Sequence, residues 1–257
     1  MTKHRFVWHD LNTKDIDGSK KFYGEVFNWK IESESGPYLH ISAGDQMIGG
    51  MRPMGADEQM PTSWLGYVGV DDVAATVSTI TGAGGKVFMP TTTLPNVGTF
   101  AVTADPTGGV FAPWKSARPG EDVEKIERAA NFTFSWDELM STDPDAAVAF
   151  YSKVFGWVGQ PMDMGPGGTY TLLNRPGVKN FLGTQASAGG VMKSPPGVPH
   201  SFWLPYVQVD NTDALCERAS RLGAQIAVPP TDIPNVGRFA CWMDPQQASI
   251  GIIQPAM

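Results

Sequence analysis

The chain spells one passage twice, and that repetition restricts it to folds built from paired copies of one unit. "LPNVGTFAVTADP" begins at residue 94 and "IPNVGRFACWMDP" at residue 233, an offset of 139. "WLGYVGVDD" (64–72) lies over "WLPYVQVDN" (203–211) at the same offset. "WHDLNTKDIDGSKKFYGEVFNW" (8–29) lies over "WDELMSTDPDAAVAFYSKVFGW" (136–157) at an offset of 128, so the second copy carries insertions between these blocks. The insertions fall in "GQPMDMGPGGT" and "RPGVKNFLGTQASA", whose Gly and Pro content predicts loops. Ordered repetition of this kind means duplication, and each copy is expected to fold alike.

A length of 257 residues suits two domains, each with a core of its own. The expected boundaries are 1–115 for the first domain, 116–131 for a linker and 132–257 for the second. The linker "SARPGEDVEKIERAAN" has no counterpart inside either copy, and the spacing of Glu121/Lys125 and Glu124/Arg128 supports some helix. A formal charge of −7 argues against nucleic acid or an anionic membrane as a partner. No apolar run is long enough to span a bilayer and the N-terminus has no secretory hydrophobic region, so a cytoplasmic protein is expected. The two cysteines, Cys216 and Cys241, stand where the first copy has Val77 and Val102, and read as small core hydrophobes.

Each copy divides again. A short strand ("RFVWHDL", "FTFSWDEL") leads to a helix that starts after Asp15 or Asp143. In the second copy, Pro144 suits the first turn, and Ala147, Phe150, Tyr151, Val154 and Phe155 form one apolar stripe. Short strands follow, and then the pattern restarts with "WLGYVGVDD" and a helix bearing Val73, Val77 and Ile80. In the "PNVG" turns the glycines, Gly98 and Gly237, are expected to supply the turn geometry, and the Asp-Pro pairs mark the next reversal. The chain therefore holds four units of strand, helix and about three strands.

A first strand followed by Asp, a helix carrying "FY..VF.W" and a second unit ending in "DPTG" resembles the vicinal oxygen chelate superfamily, which includes glyoxalase I, bleomycin-resistance proteins and extradiol dioxygenases. The "WHDL" and "WDEL" openings are similar to two-domain actinobacterial proteins labelled hydroxylases. The resemblance covers both copies apart from the linker. It implies an α+β fold of two tandem glyoxalase-like domains. In each, two βαβββ units form a curved, cup-shaped mixed sheet with helices outside and the site on the concave face.

The resemblance also implies a divalent metal, held at places that can be located here. The first ligand's place, counted from the Tyr of "FY", falls on Trp8 and Trp136. The ligand of the second unit's first strand falls on Leu65 and Leu204, and the last on Ala112 and Gly251. "MIGGMRP" and "GGVMKSP", which should supply the remaining ligand, contain no Asp, Glu or His. None of these side chains coordinates a divalent cation, so no cofactor is expected. Of the four histidines, His9 should point to the helices if Trp8 points into the cup. His4 and His200 lie outside the strands, and His40 is the one alternative metal ligand, since Asp10 can share its cup.

Strand alternation from Trp8 and Trp136 brings Asp10 and Glu138 into the cups, and parity with Leu65 and Leu204 selects Tyr67, Tyr206 and Gln208. Asn96 and Asn235 at the turn tips offer amides, and Arg238 (Thr99 in the first copy) could hold a ligand carboxylate or phosphate. Aromatic floors with hydroxyls and one carboxylate suit a small aromatic or amphipathic molecule. The expected function is metal-independent binding of such a molecule in one or both cups, of drug-binding or resistance type, by a monomer or a homodimer. The alternative is an enzyme of the superfamily, a lyase, isomerase or oxidoreductase. It would use displaced metal ligands, or Asp10 or Glu138 as acid–base. A third reading, an interaction module with filled cups, requires the tryptophans to be core.

Overall fold

The computed structural model describes residues 4–118 and 128–256, apart from the side chain of Pro166. The first repeat runs β1 (Phe6–Thr13), α1 (Ile16–Phe27), β2 (Lys30–Glu32), β3 (Leu39–Ala43), β4 (Gln46–Pro53), β5 (Ser63–Gly69), α2 (Val73–Gly82), β6 (Lys86–Leu94), β7 (Gly98–Ala104) and β8 (Val110–Ser116). The second runs β9 (Phe134–Ser141), α3 (Pro144–Phe155), β10 (Val158–Asp163), β11 (Thr169–Lys179), β12 (Gln185–Lys193), β13 (Phe202–Gln208), α4 (Thr212–Arg221), β14 (Gln225–Ile233), β15 (Gly237–Met243) and β16 (Ser249–Pro255). Each repeat forms an eight-stranded mixed sheet, ordered β2-β3-β4-β1-β5-β8-β7-β6 and β10-β11-β12-β9-β13-β16-β15-β14. This is the α+β arrangement of two βαβββ units per sheet.

Among the described residues, all four α-helices begin on a side-chain cap. Asp15, Asp72, Asp143 and Asn211 accept from the backbone N–H three residues on, at 2.9–3.1 Å, satisfying a donor that the first turn leaves open. The helix proposed within 116–131 rests on Glu121, Glu124 and Lys125, which lie outside the described residues.

Two expectations are corrected. The insertions read as loops are largely strand, in β10, β11 and β12. β10 is the sheet's edge, where Pro161 opposite Thr171 costs no interior ladder bond, and Pro176 lies where the β11–β12 register shifts. In the "PNVG" turns the asparagine is left-handed, with φ 62° at both Asn96 and Asn235, and of the two glycines only Gly237, at φ 150°, takes a backbone conformation that favours glycine. Asn tolerates that region better than most side chains. Gly98 serves close approach instead, because a Cβ there would run into the Trp114 ring.

The chain packs as two compact units, and each draws on both repeats. One comprises the described residues up to Val7, those from Gly66 to Arg128, and Asp137–Trp203. The other comprises Trp8–Leu65, Ala129–Trp136 and the described residues from Leu204 onward. In the second of these, Leu11, Phe22, Tyr23, Phe27 and Met51 share a core with Val207, Leu215, Trp242 and Ile252. In the first, Val68, Ile80 and Phe111 share one with Leu139, Phe150, Tyr151 and Trp157.

The repeated motifs pin these cores. The Tyr23 hydroxyl donates to Asp244 Oδ2 at 2.8 Å and accepts from Trp64 Nε1 at 3.0 Å. In the other unit, Tyr151 donates to Asp105 Oδ2 and accepts from Trp203 Nε1, both at 2.9 Å. The "FY" of one repeat thus bonds the Asp-Pro turn of the other. All four Tyr and Asp side chains are buried. Cys216 and Cys241 are buried too, and burial pushes the Cys216 thiol pKa up, as suits a packing role.

Candidate functional site

On β1, β3 and β4, alternate residues separate two faces. Leu11, Ile41 and Met51 join the core beneath α1. Trp8, Asp10 and Asn12, then Tyr38 and His40, then Gly50 and Arg52, have the opposite parity and line the face turned away from that core. Register places them in rows: Asp10, Gly50 and His40 lie side by side, and Asn12 lies beside Arg52.

A hydrogen-bonded cluster occupies this face. The carboxylate Oδ1 of Asp10 accepts from Trp8 Nε1 at 2.8 Å and from the Tyr38 hydroxyl at 2.7 Å. Trp8 Nε1 also lies 3.2 Å from the Tyr38 oxygen. Asp10 is 7 % exposed, so its charge needs these donors. Burial, then the adjacent Asp10 charge, pushes the Tyr38 phenol well above its ordinary value. Gly50 makes the cluster possible: a Cβ there would overlap the Tyr38 hydroxyl. Tyr38 meets the His40 ring edge-on with centroids 5.2 Å apart, and His40 Nδ1 is buried with no hydrogen-bond partner among the described residues. Arg52 donates to Asn12 Oδ1 at 2.7 Å and forms a fork with Glu58 at 2.9 and 2.8 Å, which holds the Glu58 carboxyl down to about 2.

The second repeat builds the same frame. Leu139, Leu173 and Val191 face the core, so Glu138, Met140, Tyr170, Leu172, Gly190 and Met192 line the other side. Glu138, Gly190 and Leu172 share one row, and Met140 and Met192 the next. Glu138 is buried, and the Tyr170 hydroxyl overlies Gly190 as Tyr38 overlies Gly50. Trp136, two residues before Glu138, is half-buried like Trp8.

The other expected site residues lie elsewhere. Tyr67 packs with Phe100 and Trp114, at centroid distances of 6.1 and 6.0 Å. The Tyr206 hydroxyl lies 3.3 Å from Cys241 Sγ, and its ring fills the space that a side chain on Gly251 would need. Gln208 donates to Ala129 O at 2.6 Å and Asn131 Oδ1 at 3.2 Å, tying down the chain that enters β9. Asn96 and Asn235 are exposed at their turns. Arg238 is already matched by two carboxylates, Asp213 at 2.7 and 2.9 Å and Asp232 at 2.9 Å, so a ligand anion would have to displace one. His9 stacks on Phe134 at 4.1 Å, on the core side. Tyr38 and Tyr170, with Asn12 and Arg52, escaped sequence reasoning. The available signal was a Tyr at the start of each third strand ("YLHI", "YTLL") followed in both copies by a Gly-Gly pair.

The places at which the resemblance implies metal ligands do not fit a metal. Trp8 presents an N–H donor committed to Asp10, and Leu65, Ala112, Leu204 and Gly251 have no donor atoms in their side chains. Among the described residues no three His, Cys, Asp or Glu side chains gather where they could hold a cation.

A profile described as the Glyoxalase/Bleomycin resistance protein/Dioxygenase superfamily matches residues 5–112 and 131–250. A Mycobacterium tuberculosis protein named "Putative glyoxylase CFP32" is 35% identical over 257 residues, covering 97% of this chain and 94% of that one. The anthracycline biosynthesis protein DnrV of Streptomyces peucetius is 29% identical, covering 96% and 92%. Among solved structures, the Mn(II)-bound glyoxalase from Novosphingobium aromaticivorans shares the fold, with a TM-score of 0.62, 17% identity and coverage of 97% and 81%. With the family profile matched in both repeats, this chain belongs to the glyoxalase/bleomycin resistance protein/dioxygenase superfamily.

Proposed function

We propose that the protein binds a small aromatic or amphipathic molecule, without a metal, on the faces that carry Trp8–Asp10–Tyr38 and their counterparts Trp136, Glu138 and Tyr170. The hydrogen-bonded cluster on Asp10 is the observation that carries this reading. A buried carboxylate, an indole and a phenol are held in fixed geometry on the face opposite the core beneath α1. Both repeats keep a glycine where a side chain would push the tyrosine away. Half-buried rings supply apolar contact, and the carboxylate sets orientation. A relative named for anthracycline biosynthesis supports an organic molecule of this class.

The test is native mass spectrometry and tryptophan fluorescence against small aromatic molecules, with elemental analysis of the same untagged sample. Trp8→Ala should keep the fold and weaken binding by on the order of 1 kcal/mol through lost ring contact. Stoichiometric Zn, Ni, Fe or Mn resistant to chelation would overturn metal independence. A second reading, Asp10 as an acid–base group of an enzyme, is favoured by its burial and by a relative named as a glyoxylase. It requires turnover that Asp10→Asn abolishes while binding survives.

A further inference from the structure

Matching positions on the two faces differ in a consistent direction. Asn12, His40 and Arg52 on the first correspond in register to Met140, Leu172 and Met192 on the second. The acid, the tyrosine and the glycine are kept in both, so the change is confined to what surrounds a shared frame. We infer that the two repeats offer two different binding faces. The first takes a hydroxyl-bearing aromatic molecule anchored on His40 Nδ1; the second takes an aromatic molecule with no hydroxyl. This deepens the proposed function and rests on it.

His40 Nδ1 carries the argument. It is a buried polar atom without a partner among the described residues, in the same row as Asp10 and beside the Tyr38 ring. A buried polar atom left unmet is costly, so a ligand that meets it gains more than one that only fills space. A hydroxyl suits either imidazole tautomer, because it both donates and accepts. The surrounding charges offer an anion little. Asp10 shares the row, Glu32, the cross-strand neighbour of His40, is paired with Lys30 at 3.0 Å, and the Arg52 charge is taken by Glu58. A neutral phenol fits all three constraints. On the second face Leu172 offers nothing to a hydroxyl, and half-buried Met140 and Met192 present adaptable thioethers that favour contact with an aromatic ring.

Phenol and toluene, nearly equal in shape, separate the two faces. The readouts are the imidazole 15N signals of the four histidines and the 13C-methyl signals of the twelve methionines, assigned with single variants of the full chain. Phenol should shift the His40 nitrogens and prefer the first face over toluene by about tenfold, the scale of one hydrogen bond to a buried group. Toluene should shift the Met140 and Met192 methyls. His40→Leu should erase the phenol preference without moving the methionine response, and His40→Gln should restore part of it. If His40→Leu does not fold, the wild-type nitrogen shifts and His40→Gln decide the matter. Phenol and toluene shifting both sets alike would overturn the division while leaving small-molecule binding intact. No shift on either face with either probe would overturn both readings.

Discussion

Gly50 shows how much one absent side chain can fix. Its missing Cβ lets the Tyr38 hydroxyl reach Asp10, and the Asp10 charge then discourages that phenol from ionising. Burial is the larger cause and the carboxylate the second, so removing the charge should lower the Tyr38 pKa without restoring its ordinary value. Absorbance titration of tyrosinate in Asp10→Asn, read against Tyr38→Phe, should show one phenol of the six ionising at lower pH than in the parent. A titration unchanged by Asp10→Asn would mean that the pair is not coupled. His9 and Asp10 illustrate the same scale from the other side. One residue apart on a strand, they face opposite ways, His9 stacking on Phe134 and Asp10 joining the polar cluster.

Among the elements, the helices and Asp-Pro turns do joint work. Tyr23→Phe leaves the buried Asp244 Oδ2 and the Trp64 N–H without their shared partner and should cost about 1–3 kcal/mol in urea unfolding; Tyr151→Phe should cost as much for Asp105 and Trp203. Asp244 adds a pH dependence. Burial raises its pKa above 3.8, against the pull of N–H groups from Ala248 and Gln246 and of the Tyr23 hydroxyl. The folded state therefore holds this proton more tightly than the unfolded one. The resulting stabilisation is full below the unfolded value and is lost as pH rises through the raised folded value. Asp244→Asn should flatten stability across that window, and an unaltered slope would assign the effect to other groups. Much at this scale was legible in the sequence. Helix starts followed from Asp15 and Asp143, and strand parity put Trp8 and Asp10 on one face. The strands in the insertions were not legible, because Pro161 and Pro176 imitate loop signals and only the sheet edge and a register shift make them harmless. Nor was the Tyr38 contact, since nothing local announces that a residue just before β3 will lean over a glycine in β4.

At the scale of the whole molecule, the unit of sequence and the unit of packing differ. The repeats are the sequence domains, yet each core takes residues from both. A protease site inserted within 116–131 should therefore give two fragments that co-elute and part only in denaturant. Separation into two folded monomers would contradict shared cores. The same duplication gave the chain two copies of one polar frame, proposed above to bind an aromatic molecule without a metal. Indole N–H NMR of EDTA-treated protein reports on such binding, because Trp8 Nε1 bonds the Asp10 carboxylate and the chain has only eight tryptophans. Phenol added to the chelated protein should shift the Trp8 indole signal, assigned with Trp8→Phe, and the shift should be unchanged when Mn or Zn is returned. A Trp8 signal that responds to phenol only after the metal is added would mean that binding depends on the metal, against metal independence.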